Sequence, residues 1–203
     1  MHKFLGGLLL LVSAAGAHAQ DSNWRVMGGV AMANGGGVIG TGTISVIGTN
    51  HVIPFEVKAG MDSQYRLGLE YRLFSRLALQ GSVGYSITEP MGINGSLEFT
   101  TIPVELLAYA NITQGLRIGA GLRKARADLT GSGVASNSPD LGSYASTVGK
   151  VLEVQYLFSA SESSKTFAKS QAGFSARVVN EEFTHGGITT SGNHYELGLV
   201  VYF

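Results

Sequence analysis

Tyr195-Glu196-Leu197-Gly198-Leu199-Val200-Val201-Tyr202-Phe203 is the most regular stretch of the chain. Tyr195, Leu197, Leu199, Val201 and Phe203 fall on one face of an extended strand. His194, Glu196, Gly198, Val200 and Tyr202 fall on the other. Alternation with period two marks a strand that meets a different environment on each side. The pattern recurs upstream. Tyr65, Leu67, Leu69, Tyr71 and Leu73 are set against Arg66, Gly68, Glu70 and Arg72. Leu77, Leu79, Val83, Tyr85 and Ile87 are set against Arg76, Ala78, Gln80, Ser82 and Ser86. Ile102, Val104, Leu106 and Ala108 oppose Thr101, Pro103, Glu105 and Tyr109, and Leu116, Ile118, Ala120 and Leu122 oppose Arg117, Gly119, Gly121 and Arg123. Leu152, Val154, Tyr156 and Phe158 oppose Glu153 and Gln155, while Phe174, Ala176 and Val178 oppose Ser175, Arg177 and Val179. Trp24 to Ala33 is a weaker first member, with Val26, Val30 and Met32 on one side.

Composition narrows what such strands can build. Only 14% of the 203 residues are charged and 29 are glycine. Mean hydropathy is positive, which excludes a disordered chain. Lys and Arg total 14, as do Asp and Glu, so the basic excess of a nucleic-acid binder is missing. With no cysteine, disulfides, thiolate metal sites and cysteine catalysis are excluded. Yet no segment after residue 20 approaches the ~18 apolar residues of a spanning helix. The other structure that satisfies every backbone polar group in hydrocarbon is a closed β-barrel. The expected fold is therefore all-β, an antiparallel up-and-down transmembrane β-barrel of about eight strands, each roughly ten residues long. A soluble barrel would instead carry its apolar face inside.

Connection lengths agree. Phe74-Ser75 and Thr113-Gln114-Gly115 are tight, whereas 34–51, 88–97, 127–146 and 183–193 are long and rich in Gly, Ser, Thr and Asn. Segment 159–171 falls on the short-turn side but is long and polar. Residues 41–47 also read as a strand. They either pair with 52–58 in a hairpin outside the membrane or join the wall and make ten strands. Eight is preferred because Phe55 to Leu73 reads as one long strand.

Residues 1–19 read as a secretory signal peptide ahead of a barrel domain over 20–203. His2 and Lys3 give a positive start, Phe4 to Val12 an apolar run, and Ala17-His18-Ala19 a small-x-small site, so cleavage is expected between Ala19 and Gln20. The apolar run is too short for a membrane anchor.

The run from Tyr195 to Phe203 resembles the assembly signal of outer-membrane barrels, with its apolar stripe Tyr195, Leu197, Leu199, Val201 and Phe203 ending on an aromatic. Leu67-Gly68-Leu69-Glu70-Tyr71-Arg72-Leu73-Phe74 and Ile102-Pro103-Val104-Glu105-Leu106-Leu107-Ala108-Tyr109 are similar to stretches of the small OmpA-like, OmpX-like and opacity-type barrels. The resemblance implies a bacterial outer-membrane location after export. It further implies contact with outer-membrane lipid and lipopolysaccharide, selection by the barrel assembly machinery, and a monomeric state. It implies no activity, and it leaves the ligand of the extracellular loops open. OmpA itself adds a soluble peptidoglycan-binding domain, and that function is not expected to carry over to this chain.

Candidate chemistry is sparse. Gly35, Gly37 and Gly40 match G-x-G-x-x-G, but a dinucleotide site needs a helix after the motif, and a flexible loop is the better reading. No cofactor is expected. His51, His185 and His194 lack the spacing of a helical metal site. Lipid A deacylase barrels carry His-x-Ser on a late strand. The similar stretch here is Glu182-Phe183-Thr184, followed by His185-Gly186-Gly187, and it lacks the imidazole-hydroxyl pair. No enzyme is therefore expected. Asn94-Gly95-Ser96 and Asn111-Ile112-Thr113 match glycosylation acceptors and read as loop and turn residues.

The charged residues of the inward phase are the most specific feature. Arg66, Glu70, Arg72, Glu105, Arg117, Arg123, Glu153, Arg177 and Glu196 are expected to form a lumen network, with Arg25 and Arg76 on the same side. A small barrel is filled by its own side chains, so a structural polar core is preferred over a gated ion path.

Overall fold

The computed structural model describes residues 23–45, 52–88, 91–92, 95–159 and 170–203. The signal peptide with its Ala19–Gln20 junction, His51 and most of segment 159–171 lie outside them. In chain order the strands are β1 (Trp24–Gly35), β2 (Val38–Ser45), β3 (Val52–Lys58), β4 (Ser63–Phe74), β5 (Leu77–Thr88), β6 (Met91–Gly92) and β7 (Gly95–Asn111). They continue with β8 (Leu116–Gly131), β9 (Gly142–Ser159), β10 (Gln171–Asn180), β11 (Glu182–His185), β12 (Ile188–Ser191) and β13 (His194–Tyr202). A 3-10 turn at Gly133–Asn137 lies between β8 and β9.

Eight strands form the wall, in the order β1, β4, β5, β7, β8, β9, β10 and β13, each antiparallel to the next. The last meets the first. Gly28 faces Val201 and Val30 faces Leu199 across this seam. Below that register Val26 and Phe203 exchange two backbone hydrogen bonds, of 3.1 and 3.0 Å. No edge is left open to lipid, as the hydrocarbon requires.

The residues that alternate outward make a continuous apolar belt. Leu69, Val83, Val104, Leu106, Ile118, Leu152, Val154, Phe174, Leu197 and Leu199 are all exposed on the outer surface, Leu106 at 60%. Aromatic rings border it at two heights. Tyr65, Tyr85 and Tyr195 mark one rim. Trp24 packs on Tyr71 with ring centroids 4.7 Å apart at the other, and Tyr156 and Phe158 make a second ring pair on β9. Amphipathic rings favour such interfaces.

Three wall strands outrun the belt. β7 has 17 residues, β8 has 16 and β9 has 18, against about 9–11 for a tilted crossing. Past Thr101 on β7 and Arg123 on β8 the alternation inverts. Glu98, Lys124, Arg126 and Asp128 take the outer face, while Leu97, Phe99, Ala125, Ala127 and Leu129 become the buried inner face. The excess carries the sheet roughly 15–20 Å beyond the membrane. Its inner face packs on Ile39 of β2 and Val57 of β3, with Tyr144 and Phe183, to form an apolar core outside the bilayer. The β11–β12 hairpin extends the same sheet through Phe183↔Ser146 and Thr184↔Ala145. It turns on Gly186 and Gly187, both at positive φ, as a two-residue hairpin loop requires.

Three sequence expectations need correction. Residues 38–45 and 52–58 do pair as a hairpin outside the wall, but Phe55 to Leu73 is not one strand. The chain turns at Ala59–Asp62. There Gly60 lies so close to His194 that an added Cβ would come within 2.6 Å of the His194 Cβ. Stretches 127–146 and 183–193 hold strand and hairpin rather than long irregular loops. Gly35 ends β1, Gly37 lies in the two-residue link to β2 and Gly40 lies within β2, and Gly36 N–H donates to Asn193 O at 2.7 Å.

The belt has a measurable depth profile. Leu106→Arg is expected to lower stability in phosphatidylcholine vesicles by about 2–4 kcal/mol, and Thr100→Arg, further up the same face of β7, by about 1 kcal/mol or less. Urea unfolding of the two variants compares them directly. Equal losses would reject this placement of the bilayer.

Candidate functional site

The bore between belt and axis is filled by charge. In β10, Arg177 points inward because its neighbours Ala176 and Val178 occupy the lipid phase. Its Nη2 lies 2.6 Å from Glu105 Oε2, its Nη1 2.6 Å from Glu196 Oε2, and its Nε 3.2 Å from Glu153 Oε2. Arg123 shares two of these acids, with Nη1 2.9 Å from Glu105 Oε1 and 3.5 Å from Glu196 Oε1. Its Nε stands 3.1 Å from Glu181 Oε1, an ion pair without hydrogen-bond alignment. Arg66 Nη1 reaches Glu153 Oε2 at 3.5 Å. A second cluster lies toward the end of the tight turns. Arg117 Nη1 is 2.5 Å from Glu70 Oε2, and Arg25 pairs with the other oxygen of the same carboxylate.

Neutral side chains of the same phase complete the network. Tyr109 donates to Glu153 Oε2 at 2.6 Å, and Gln155 Nε2 donates to Glu153 Oε1 at 2.6 Å. Arg117 Nε donates to Gln155 Oε1 at 2.8 Å, and its Nη2 bonds the Tyr202 hydroxyl. The Arg117 guanidinium also stacks on two rings, 4.2 Å from the Tyr109 centroid and 4.5 Å from that of Tyr202. Gly119, opposite Tyr109 in the register, makes room for this ring. An added Cβ there would stand 2.4 Å from the Tyr109 ring. At the top of the network His194 Nε2 lies 3.0 Å from Glu196 Oε1, and its Nδ1 lies 2.6 Å from Gly192 O.

The structure thus brings Arg66, Glu70, Glu105, Arg117, Arg123, Glu153, Arg177 and Glu196 together inside the barrel. It does not bring Arg72 into that network. Arg72 is exposed at the mouth, as is Arg76 in the turn after β4. The inward phase reaches solvent there, so parity alone cannot bury a side chain. Glu181 and His194 join the network without having been singled out as members. Glu181 lies beyond the alternating part of β10, where the period-two signal ends. Tyr109, Gln155 and Tyr202 were legible, since they share the phase of the charges.

The other candidates take structural positions. Phe183 is in the apolar core, Thr184 Oγ1 faces Thr189 Oγ1 at 3.2 Å, and Glu182 is exposed. His185 stacks on Tyr144 at 4.6 Å and contacts Ser143 O through Nδ1 at 2.9 Å. Among the described residues no three of His, Asp and Glu converge as metal ligands. Tyr195, Leu197, Leu199 and Val201 form the outward stripe of β13, and Phe203 is half-buried at its end.

No family model matches the sequence, and no curated protein matches it. Solved structures do match. Ail, the attachment invasion locus protein of Yersinia pestis, aligns over 89% of this chain and 97% of its own, with a TM-score of 0.51 and 11% identity. The fold is that of an eight-stranded outer-membrane barrel. Ail has also been crystallised with the heparin analogue sucrose octasulfate. Neisserial surface protein A aligns over 89% of this chain and 96% of its own, with a TM-score of 0.49 and 13% identity. At these identities the likeness is one of fold. An outer-membrane barrel of eight strands has a bore that side chains can fill, and here the filling is ionic.

Glu105 serves two arginines at once, so its loss leaves buried positive charge unbalanced. Glu105→Leu is expected to cost about 3–5 kcal/mol. Adding Arg177→Met should restore part of that loss, because the two sites are coupled. Urea unfolding in vesicles measures both. An unchanged midpoint for E105L would mean that water screens these charges.

Proposed function

We propose that the protein is a non-catalytic barrel of the bacterial outer membrane that serves a structural or cell-surface interaction role through its extracellular β-extension. The observation that carries this reading is the apolar core around Phe99 and Phe183. It closes one end of the bore and holds the β2–β3 and β11–β12 hairpins in fixed positions beyond the belt. A surface that served no contact would not need such a support. The filled bore favours a structural network over conduction, since an open path would require Arg177 to leave Glu105, Glu153 and Glu196 together. Lys124, Arg126 and Lys150 stand on the outer wall just above Leu122 and Leu152. At that height their charges suit the phosphates of lipopolysaccharide. The stripe ending in Phe203 would serve the assembly machinery, and the closed wall is compatible with a monomer.

An epitope inserted between Gly186 and Gly187 is expected to bind antibody on intact cells, whereas one beside Gln114 should need permeabilised cells. Planar bilayers containing the protein should show no single-channel steps, and the lipid A mass profile of expressing cells should be unchanged. Conductance steps would favour the channel reading, and a new lipid A species would favour an enzyme. Phe183→Ala is expected to loosen the extension, since such truncations cost about 3–5 kcal/mol. Proteolysis on intact cells should then cut the hairpins while the heat-modifiable barrel persists. Deleting Phe203 should reduce barrel in cells more than it reduces refolding in detergent. Equal losses would leave no role in assembly.

A further inference from the structure

At the end of the bore opposite the apolar core, the inner wall opens into a cavity of about 570 Å³. This is the end that carries the tight turns, the periplasmic end of an outer-membrane barrel. Arg25, Arg72, Arg76 and Arg117 all line it. Arg25 and Arg117 form its floor, and both bond Glu70. Among the described residues, that one carboxylate leaves the cavity with a surplus of positive charge. Arg72 and Arg76 are exposed on its wall and have no ion pair among the described residues.

The arginine-bearing segments are tethered. Arg72 N–H donates to Asn23 O at 2.9 Å. The Asn111 backbone N–H donates to Arg76 O at 2.9 Å, and its side-chain Nδ2 donates to Ser75 O at 3.2 Å. The turn that follows is tied by Leu116 N–H donating to Thr113 Oγ1 at 3.0 Å. Two fixed guanidiniums below and two solvated ones above therefore converge on one concave space. A guanidinium presents a planar fork of donors that matches carboxylate and phosphate oxygens. A low-dielectric cup of one sign concentrates counter-ions of the other. The volume falls in the range of small-ligand sites.

We propose that this periplasmic mouth is a binding site for a small multivalent anion bearing phosphate or carboxylate groups. Arg72 and Arg76 grip the ligand, while Arg25 and Arg117, held by Glu70, set the potential beneath it. The apolar core closes the far end, so the ligand enters and leaves from the periplasmic side. This site is separate from the extracellular extension and does not depend on the role proposed for it.

Inorganic pyrophosphate is a suitable probe for the full barrel, refolded in a non-ionic detergent at low salt. Its melting temperature is expected to rise with pyrophosphate along a saturable curve. The Arg72→Gln/Arg76→Gln double variant should fold to the same heat-modifiable barrel and bind roughly tenfold more weakly or worse, as expected for loss of charge-assisted bonds. Lys58→Gln, on the β2–β3 hairpin at the opposite end, should bind as the unmodified protein does. Added sodium chloride should weaken binding, because exposed charges are screened. Repeating the titration in nanodiscs identifies the source of the anion. Weaker binding in phosphatidylglycerol than in phosphatidylcholine would assign the mouth to a lipid headgroup, and equal binding would assign it to a soluble anion. A curve that does not saturate, or equal binding by R72Q/R76Q, would overturn the proposal.

Discussion

A backbone N–H or C=O without a partner in hydrocarbon costs several kcal/mol. Each wall strand carries about ten residues of such groups across the bilayer. The seam between β1 and β13 is therefore the condition on which the rest depends. Closing at eight strands leaves a bore narrow enough for side chains to fill. Once Arg66, Arg117, Arg123 and Arg177 are committed to that bore, their charges have to be matched within it, because an uncompensated buried charge costs more than a marginally stable domain can spare. The seam, the narrow bore and the paired network are successive consequences of one constraint.

The position of the water boundary is written in the phase of alternation rather than in overall hydropathy. Along β7 the apolar side is outward at Leu106, Val104 and Ile102, then inward at Phe99 and Leu97. Along β8 it is outward at Leu122, then inward at Ala125, Ala127 and Leu129. The two inversions are offset by four residues in the register, since Thr101 faces Ala127 and Arg123 faces Glu105. A strand leaving lipid for water exchanges the medium outside it, so its apolar side chains need a new partner inside. Ile39 and Val57 of the β2–β3 hairpin supply that partner.

This inversion explains what could be read in the sequence. Strands with a constant phase, such as β5 and β13, were legible nearly residue by residue. The extension read as loop because its apolar positions break the phase of the strand below and its composition is rich in Gly, Ser and Thr. The long strand expected from Phe55 to Leu73 failed for a related reason. Alternation continues through Val57 and Ala59, but those residues face the hairpin core, and the chain turns at Gly60, where His194, distant in sequence, leaves no room for a Cβ. Most charges of the site were legible from phase. Arg72 shows the limit of that inference, since phase gives direction and not depth.

Depth decides how charge is distributed along the bore. In the middle, Arg177 and Arg123 meet Glu105, Glu153, Glu181 and Glu196, while Tyr109 shares Glu153 Oε2 with Arg177 and Gln155 takes its other oxygen. Glu105, Glu153 and Glu196 are matched there by protein donors, whereas Glu181 meets Arg123 only as an ion pair, with neither of its oxygens hydrogen-bonded. At the periplasmic mouth the environment changes within two residues of one strand. Glu70 is fully buried and shared by Arg25 and Arg117, while Arg72 is exposed and has no ion pair among the described residues. Water can solvate a guanidinium at the mouth but not at the centre. A surplus of positive charge is consequently tolerable only where solvent reaches, and the four arginines around the cavity occupy the one stretch of the bore that can hold such a surplus without destabilising the wall. The opposite end has no such allowance, because Phe99, Phe183 and Leu129 exclude water from it. The two ends of a single channel of side chains are thus set by opposite solvation, and the charged end is the one left open to solutes.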